Sequence, residues 1–190
     1  MTQILLIGDS ISEGYTPFVK KFFGGTAKVQ RPNENCGSTQ LGLEKLDFWL
    51  GKNQWDAIHF NWGLHDLRYV DGNGDFSVIP RGRHFVPLSE YEKNLRTLVE
   101  KLKNTGAQLI WCTSTPVPKG CSWRIENDEQ LFNEVAARVM HHENIPVNDL
   151  HKAISPRLNE FQEPNDVHFN SAGSAFMGKK VYEAVKDRIK

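Results

Sequence analysis

The apolar run Ile4-Leu5-Leu6-Ile7 stops at Gly8-Asp9-Ser10, and a histidine lies far downstream in Asn165-Asp166-Val167-His168. A β-rich run that ends in this way places a serine hydroxyl at the carboxyl end of a strand, the edge where open α/β sheets bind ligands. A serine there, with a histidine able to reach it from a late loop, is the minimum set of groups for nucleophilic acyl transfer. Gly-Asp-Ser alone is a weak signal, because such a tripeptide at a strand end commonly serves only as a turn and a helix cap. Two further segments also follow predicted strands, Cys36-Gly37-Ser38-Thr39 and Gly63-Leu64-His65-Asp66.

The elements that must hold these residues follow from hydrophobic periodicity. Strands are predicted at Ile4 to Ile7, weakly at Lys28 to Gln30, and at Ala57 to Trp62, Gln108 to Cys112 and Ile145 to Val147. Helices are predicted from Pro17 to Phe23, Leu41 to Leu50, Asn127 to His142, and over a last segment capped by Ser171. Another helix is predicted after Ser89, which with Glu92 three residues on reads as a capping box before the face Tyr91, Leu95, Leu98, Val99 and Leu102. Strands alternating with helices imply βαβ units, so the expected fold is a three-layer α/β/α sandwich around a parallel sheet of about five strands, with right-handed connections. Every strand-to-helix loop then emerges on one edge. Two of those loops are long, Arg68 to Leu88 and Thr115 to Glu126, and loops of that length in a compact domain are commonly functional.

Composition narrows the classes. A chain of 190 residues reads as one domain, spanning 1–190, with enough length for a full core. Its formal net charge of zero argues against nucleic acid and membrane surfaces as partners. The chain has no apolar stretch long enough to span a membrane. The first strand begins almost at Met1, which leaves no room for a leader; the expectation is a cytoplasmic protein, or one whose leader was removed. Cys36, Cys112 and Cys121 are odd in number and lack metal-site spacing, which suits a reducing compartment. Asp71-Gly72-Asn73-Gly74-Asp75 resembles the start of a calcium loop, but Phe76 replaces its glycine and Gly82 its last glutamate, so calcium is not expected.

The order and spacing of the four loop segments resemble the SGNH hydrolases, also called GDSL-type esterases, over nearly the whole chain, and the fold implied is the flavodoxin-like one of that family. The first and last segments carry the more specific match. By this resemblance Ser10 is the nucleophile and contributes its backbone amide to an oxyanion hole, Gly37 offers a second amide, and His168 is the general base. The chain departs from the family pattern twice. His65 stands where the family has an oxyanion-binding Asn, and an imidazole N–H can replace an amide in that role. Asn165 stands where the family has the Asp that orients the histidine. Asn165 is expected to occupy that position, with Asp166 as the rival that would supply a carboxylate. The reaction implied is hydrolysis of short acyl esters, acetyl foremost, of a carbohydrate or another small polar alcohol, with no metal and no organic cofactor. Trp123, Arg124 and Arg81, on the long loops, are the candidate substrate-binding residues. A low-turnover binding protein of the same fold, and a thioesterase or acyltransferase using the same serine, remain open alternatives. Cys36 reads as a buried inert thiol, Asp9 as a local hydrogen-bonding residue, and Trp62 and Trp49 as core or pocket wall.

Overall fold

The computed structural model describes residues 1–77 and 82–189. The amino-terminal apolar run forms β1 (Thr2–Ile7), whose Ile4, Leu6 and Ile7 are fully buried. Each such side chain contributes about 1.5–3 kcal/mol on leaving water. α1 (Ser10–Phe23) follows, then β2 (Ala27–Gln30), α2 (Thr39–Leu50) and β3 (Ala57–Phe60). A small antiparallel ribbon, β4 (Tyr69–Val70) with β5 (Arg83–His84), interrupts the first long loop. The chain continues through α3 (Leu88–Lys103), β6 (Gln108–Cys112), α4 (Glu129–His142) and β7 (Val147–Asn148). It closes with the short α5 (Leu150–Ile154), a 3₁₀ turn (Ser155–Arg157), α6 (Leu158–Phe161) and the long α7 (Ser171–Lys186).

The main sheet has five strands in the order β2-β1-β3-β6-β7, and every pairing in it is parallel. α1 packs against α7, while α2, α3 and α4 form a second layer. This is the expected three-layer α/β/α sandwich. The order reverses direction at β1, whose neighbours β2 and β3 follow it on opposite sides. Ligands bind at such a reversal, beyond the carboxyl ends of the strands. Ser10 follows β1 and His65 follows β3, so the topology brings both to one crevice. The register that pairs Ile7 with Phe60 aligns the ends of those two strands.

Several boundaries differ from the sequence expectation, each for a local reason. α1 begins at Ser10, not Pro17, because the Asp9 carboxylate accepts the Ile11 N–H at 2.9 Å and starts the helix there. Pro17 is carried inside it. α3 starts one residue before Ser89, after Pro87, with no side-chain cap; the predicted capping box does not form. The entry to α3 is fixed from outside, by Val86 N–H on the Asp66 carbonyl at 3.0 Å and Tyr91 Oη on the Trp62 carbonyl at 2.9 Å. The last helix is capped by Asn170, whose side chain accepts the Gly173 N–H at 2.9 Å, while Ser171 is its first turn. β3 ends at Phe60, and Gly63 then adopts φ +157°; a Cβ there would collide with the Ser114 hydroxyl. The Asp71 carboxylate accepts the amides of Asn73 and Asp75 at 2.8 and 3.1 Å and so closes its own turn. Arg81 lies outside the described residues.

Candidate active site

Ser10 occupies the first position of α1, so its N–H has no acceptor within the helix, and the positive end of the helix dipole points at the crevice. Its Oγ lies 2.8 Å from His168 Nε2, across 158 residues of sequence. For Nε2 to accept from the hydroxyl, the imidazole proton must sit on Nδ1. Nδ1 in turn lies 2.7 Å from Asp166 Oδ1, and the same oxygen accepts the His168 backbone N–H at 3.2 Å. Partial burial raises the Asp166 carboxyl, but these hydrogen bonds more than offset it and hold the group below its usual range.

The partner of the ring is therefore Asp166, and the expectation that Asn165 would fill this position is corrected. Asn165 takes a left-handed backbone conformation, φ +58°, and its side-chain amide lies against Gly120. That turn rotates the next carboxylate beneath the imidazole. The two-residue spacing suffices because the carboxylate also caps the His168 amide.

His65 lines the same cavity. Burial first, and then the nearby charges of Arg68, Arg124 and His168, push its pKa down to about 3. The ring is thus neutral near pH 7, with one nitrogen left to donate. Asp66 turns away from it into the protein. Its Oδ1 accepts the Thr39 N–H at 2.9 Å and the Thr39 hydroxyl at 2.5 Å, and burial pushes its pKa up to about 7. This pairing ties the loop after β3 to the start of α2.

Gly37, at φ +53°, donates its N–H to the Asn35 side chain at 2.9 Å. The free amide expected there is thus engaged locally by an Asx-type turn. A Cβ on Gly37 would lie 3.9 Å from His65 Nδ1, so the two residues are neighbours. Cys36 is buried with its thiol pushed up to about 12 by that burial, and it offers no thiolate. Trp62 and Trp49 belong to the core.

Ser10, His65, Asp166 and His168 border a cavity of about 380 Å³, together with Asn35, Leu64, Arg68, Trp123 and Arg124. Arg124 and Trp123 fall where the sequence suggested. Arg68, Asn35 and the Asp66–Thr39 contact were not singled out. Arg68 is three residues beyond His65, and its Nε donates to the His65 carbonyl at 3.3 Å, a proximity that the chain order alone does not reveal. A hydroxyl bonded to an imidazole that is itself backed by a carboxylate, at a helix N-terminus, can perform nucleophilic acyl transfer.

The profile of the GDSL-like Lipase/Acylhydrolase family matches residues 6–176, a span that holds Ser10, Gly37, His65 and His168. The chain belongs to that family. Members of the GDSL-like lipase/acylhydrolase family are carboxylic ester hydrolases, and this acylhydrolase shares their fold. A lipase/acylhydrolase from Enterococcus faecalis superposes with a TM-score of 0.81 at 23% identity, covering 100% of this chain and 98% of that one. An acetyl xylan esterase gives 0.78 at 14% identity over 96% and 99%. A psychrotrophic esterase from Pseudoalteromonas gives 0.71 at 14% over 98% of each. At these identities the likeness concerns the fold. No curated protein matches the chain. Among the described residues no helix of the acylhydrolase is long and apolar enough to cross a membrane.

Proposed function

We propose that the acylhydrolase cleaves short acyl esters, acetyl foremost, of a carbohydrate or another polar alcohol, through an acyl-Ser10 intermediate. The observation that carries this reading is the chain of contacts Ser10 Oγ to His168 Nε2 at 2.8 Å and His168 Nδ1 to Asp166 at 2.7 Å. Ser10 Oγ attacks the ester carbonyl carbon while its proton passes to His168 Nε2. Asp166 stabilises the imidazolium that forms. The Ser10 amide and the neutral His65 ring hold the oxyanion, and each good donor lowers the barrier by about 3 kcal/mol. The Gly37 N–H is committed to the Asn35 side chain at 2.9 Å and is not assigned to the oxyanion. The tetrahedral intermediate then collapses, the C–O bond to the alcohol breaks, and the alcohol leaves with the proton from His168. Water, deprotonated by the same ring, attacks the acyl carbon and frees Ser10 with release of the carboxylic acid.

The preference for a short acyl group and a polar alcohol is supported by the size of the cavity and by Asn35, His65, Arg68 and Arg124 in its lining, beside the apolar Leu64, Trp123 and Val167. One relative of the fold bears the name acetyl xylan esterase, which suits the same chemistry. The test is hydrolysis of p-nitrophenyl acetate against p-nitrophenyl decanoate, together with labelling by a serine-directed phosphonate. Acetate is expected to be the better substrate, and labelling is expected to vanish in Ser10→Ala. A marked preference for the decanoate overturns the substrate class, and labelling that survives the substitution overturns the nucleophile.

A further inference from the structure

Two guanidinium groups stand on the wall of the cavity that holds Ser10 and His168. Arg124, from the loop before α4, donates Nε to the Leu64 carbonyl at 2.9 Å; Arg68, from the loop before β4, donates Nε to the His65 carbonyl at 3.3 Å. Both hold consecutive carbonyls of one loop by the same atom, so both are fixed in direction. Their terminal nitrogens are left largely uncommitted: among the described residues the only further hydrogen bond is from Arg124 Nη1 to the Cys121 sulfur at 4.0 Å. Neither arginine forms an ion pair among the described residues.

Such an arrangement is unusual in physical terms. Arg68 is partly desolvated, and its pKa is lowered first by that burial and then by Arg124. Two like charges brought together in a half-buried wall without a counterion are costly unless something else supplies one. The carboxylates nearby do so only in part and without a bond: Asp66 draws the Arg68 pKa up, though less than Arg124 draws it down, and Arg124 draws the Asp9 carboxyl down. Asp9 is fully buried, one of its oxygens accepts from Ile11, and burial pushes its carboxyl up toward the neutral form. Asp66 is likewise buried and bound to Thr39. Asp166 is engaged by His168. Arg68 is held from behind by the Phe76 ring, 4.5 Å from the guanidinium carbon, and Phe76 stacks in turn on Trp123 at 4.8 Å. The stack supports the Arg68 fork, and both arginines line the cavity.

We infer that Arg68 and Arg124 form an anion subsite of the ester-binding cavity, and that the substrate of this enzyme carries a carboxylate or a similar oxyanion besides its scissile ester. The inference rests on the hydrolase reading above and narrows its substrate to negatively charged esters. Paired forks suit this task because a guanidinium binds two oxygens of one carboxylate at once. The carboxylate can belong to the alcohol half or the acyl half; the chemistry that recognises it is the same.

The experiment compares matched pairs of esters. On the alcohol side, para-acetoxybenzoate is set against para-acetoxybenzamide; on the acyl side, p-nitrophenyl hemisuccinate is set against p-nitrophenyl butyrate. The charged member of one pair is expected to have a kcat/KM about tenfold or more above its neutral partner, as charge-assisted hydrogen bonds allow. The pair that responds assigns the anion to its half of the ester. Arg68→Gln and Arg124→Gln should each erase most of that preference, while Arg68→Lys and Arg124→Lys should keep part of it. The neutral ester serves as the folding control, since a damaged protein loses both members alike. Equal rates within each pair, or a preference unchanged in both Gln variants, overturn the inference and leave the esterase intact. Calorimetric titration of the Ser10→Ala protein with the two charged esters separates the remaining cases. Arginine-dependent binding with no ester cleaved by wild type means that the anion site stands and the hydrolase reading falls. Neither binding nor cleavage removes both.

Discussion

The site contains two histidine–aspartate neighbourhoods, and they have opposite characters. His65 is followed at once by Asp66, yet the two side chains do not meet: the carboxylate is turned into Thr39, and burial pushes it up to about 7. His168 comes two residues after Asp166, and here ring and carboxylate are bonded at 2.7 Å, with both side chains about half exposed, at 48% and 51%. The imidazole of His65 is pushed down to about 3 by burial and neighbouring cations, so it stays neutral across the working range. In the proposed mechanism the first histidine serves as a fixed donor and the second as a proton carrier. Burial removes charge from a group whose task is to donate a hydrogen bond without titrating. Where the proposed mechanism needs a proton to come and go, the ring is half exposed and its second nitrogen faces a carboxylate.

The sharpest way to break this contrast is at the carrier. Asp166→Asn keeps the size of the side chain and removes the charge that stabilises the imidazolium. Activity on p-nitrophenyl acetate is expected to fall by roughly 10³–10⁴-fold. Asn165→Gly, one residue away, removes the amide and keeps the left-handed turn, so it should stay within about threefold of wild type, since that amide touches neither Ser10 nor His168. If steady-state kinetics showed the larger loss in the Asn165 variant, the assignment of the carboxylate would be reversed.

The donor comes next. His65→Ala should lower kcat by about 10²–10³-fold with little change in KM, the signature of a group that acts on the oxyanion. His65→Asn, which restores a neutral N–H donor, should recover most of that loss. Equal damage from Ala and Asn would mean that the ring contributes through packing and not through its hydrogen bond.

The fold and the two ends of the site were readable in the chain because local chemistry fixes them. The run Ile4 to Ile7 has only one way to be buried, and Gly8-Asp9-Ser10 follows it with the cap that starts α1. What could not be read depends on backbone rotation and on contacts across the fold. Asn165 and Asp166 differ by one position, and only the left-handed turn at Asn165 decides which of them lies under the ring. The engagement of the Gly37 amide by Asn35 is likewise a turn geometry that composition does not announce. Arg68 carries no local signal, because its place on the cavity wall depends on the His65 carbonyl and on Arg124, 56 positions later in the chain. Helix caps erred for a related reason: at α3 the start is set by Asp66 and Trp62 from elsewhere in the fold, which outweighs the local Ser89 signal.

The smallest effect is on stability, and it probes the neutrality of His65 directly. A histidine held near 3 in the folded state and near 6.5 when unfolded takes up a proton only on unfolding as the pH falls between those values. It therefore lends stability above pH 6.5 that is lost toward acid, at about 1.4 kcal/mol per pH unit. His59, fully buried in β3 and also pushed to about 3 by burial, has the same sign. Asp66 has the opposite sign: its folded value near 7, against 3.8 when unfolded, makes the folded state the proton binder, so its contribution grows as the pH falls from about 7 to about 4. Between about pH 4 and 6.5 one histidine and Asp66 nearly cancel, and the second histidine sets the slope. His65→Asn removes that second histidine. Urea unfolding at pH 7 and pH 5 should then show wild type losing about 2 kcal/mol more than the variant over this interval, a difference in which Asp9 and every other shared group drops out. A variant that loses stability as steeply as wild type would mean that His65 is already charged in the folded protein. The oxyanion would then be met by a cation that titrates, and the two histidines would no longer differ in kind.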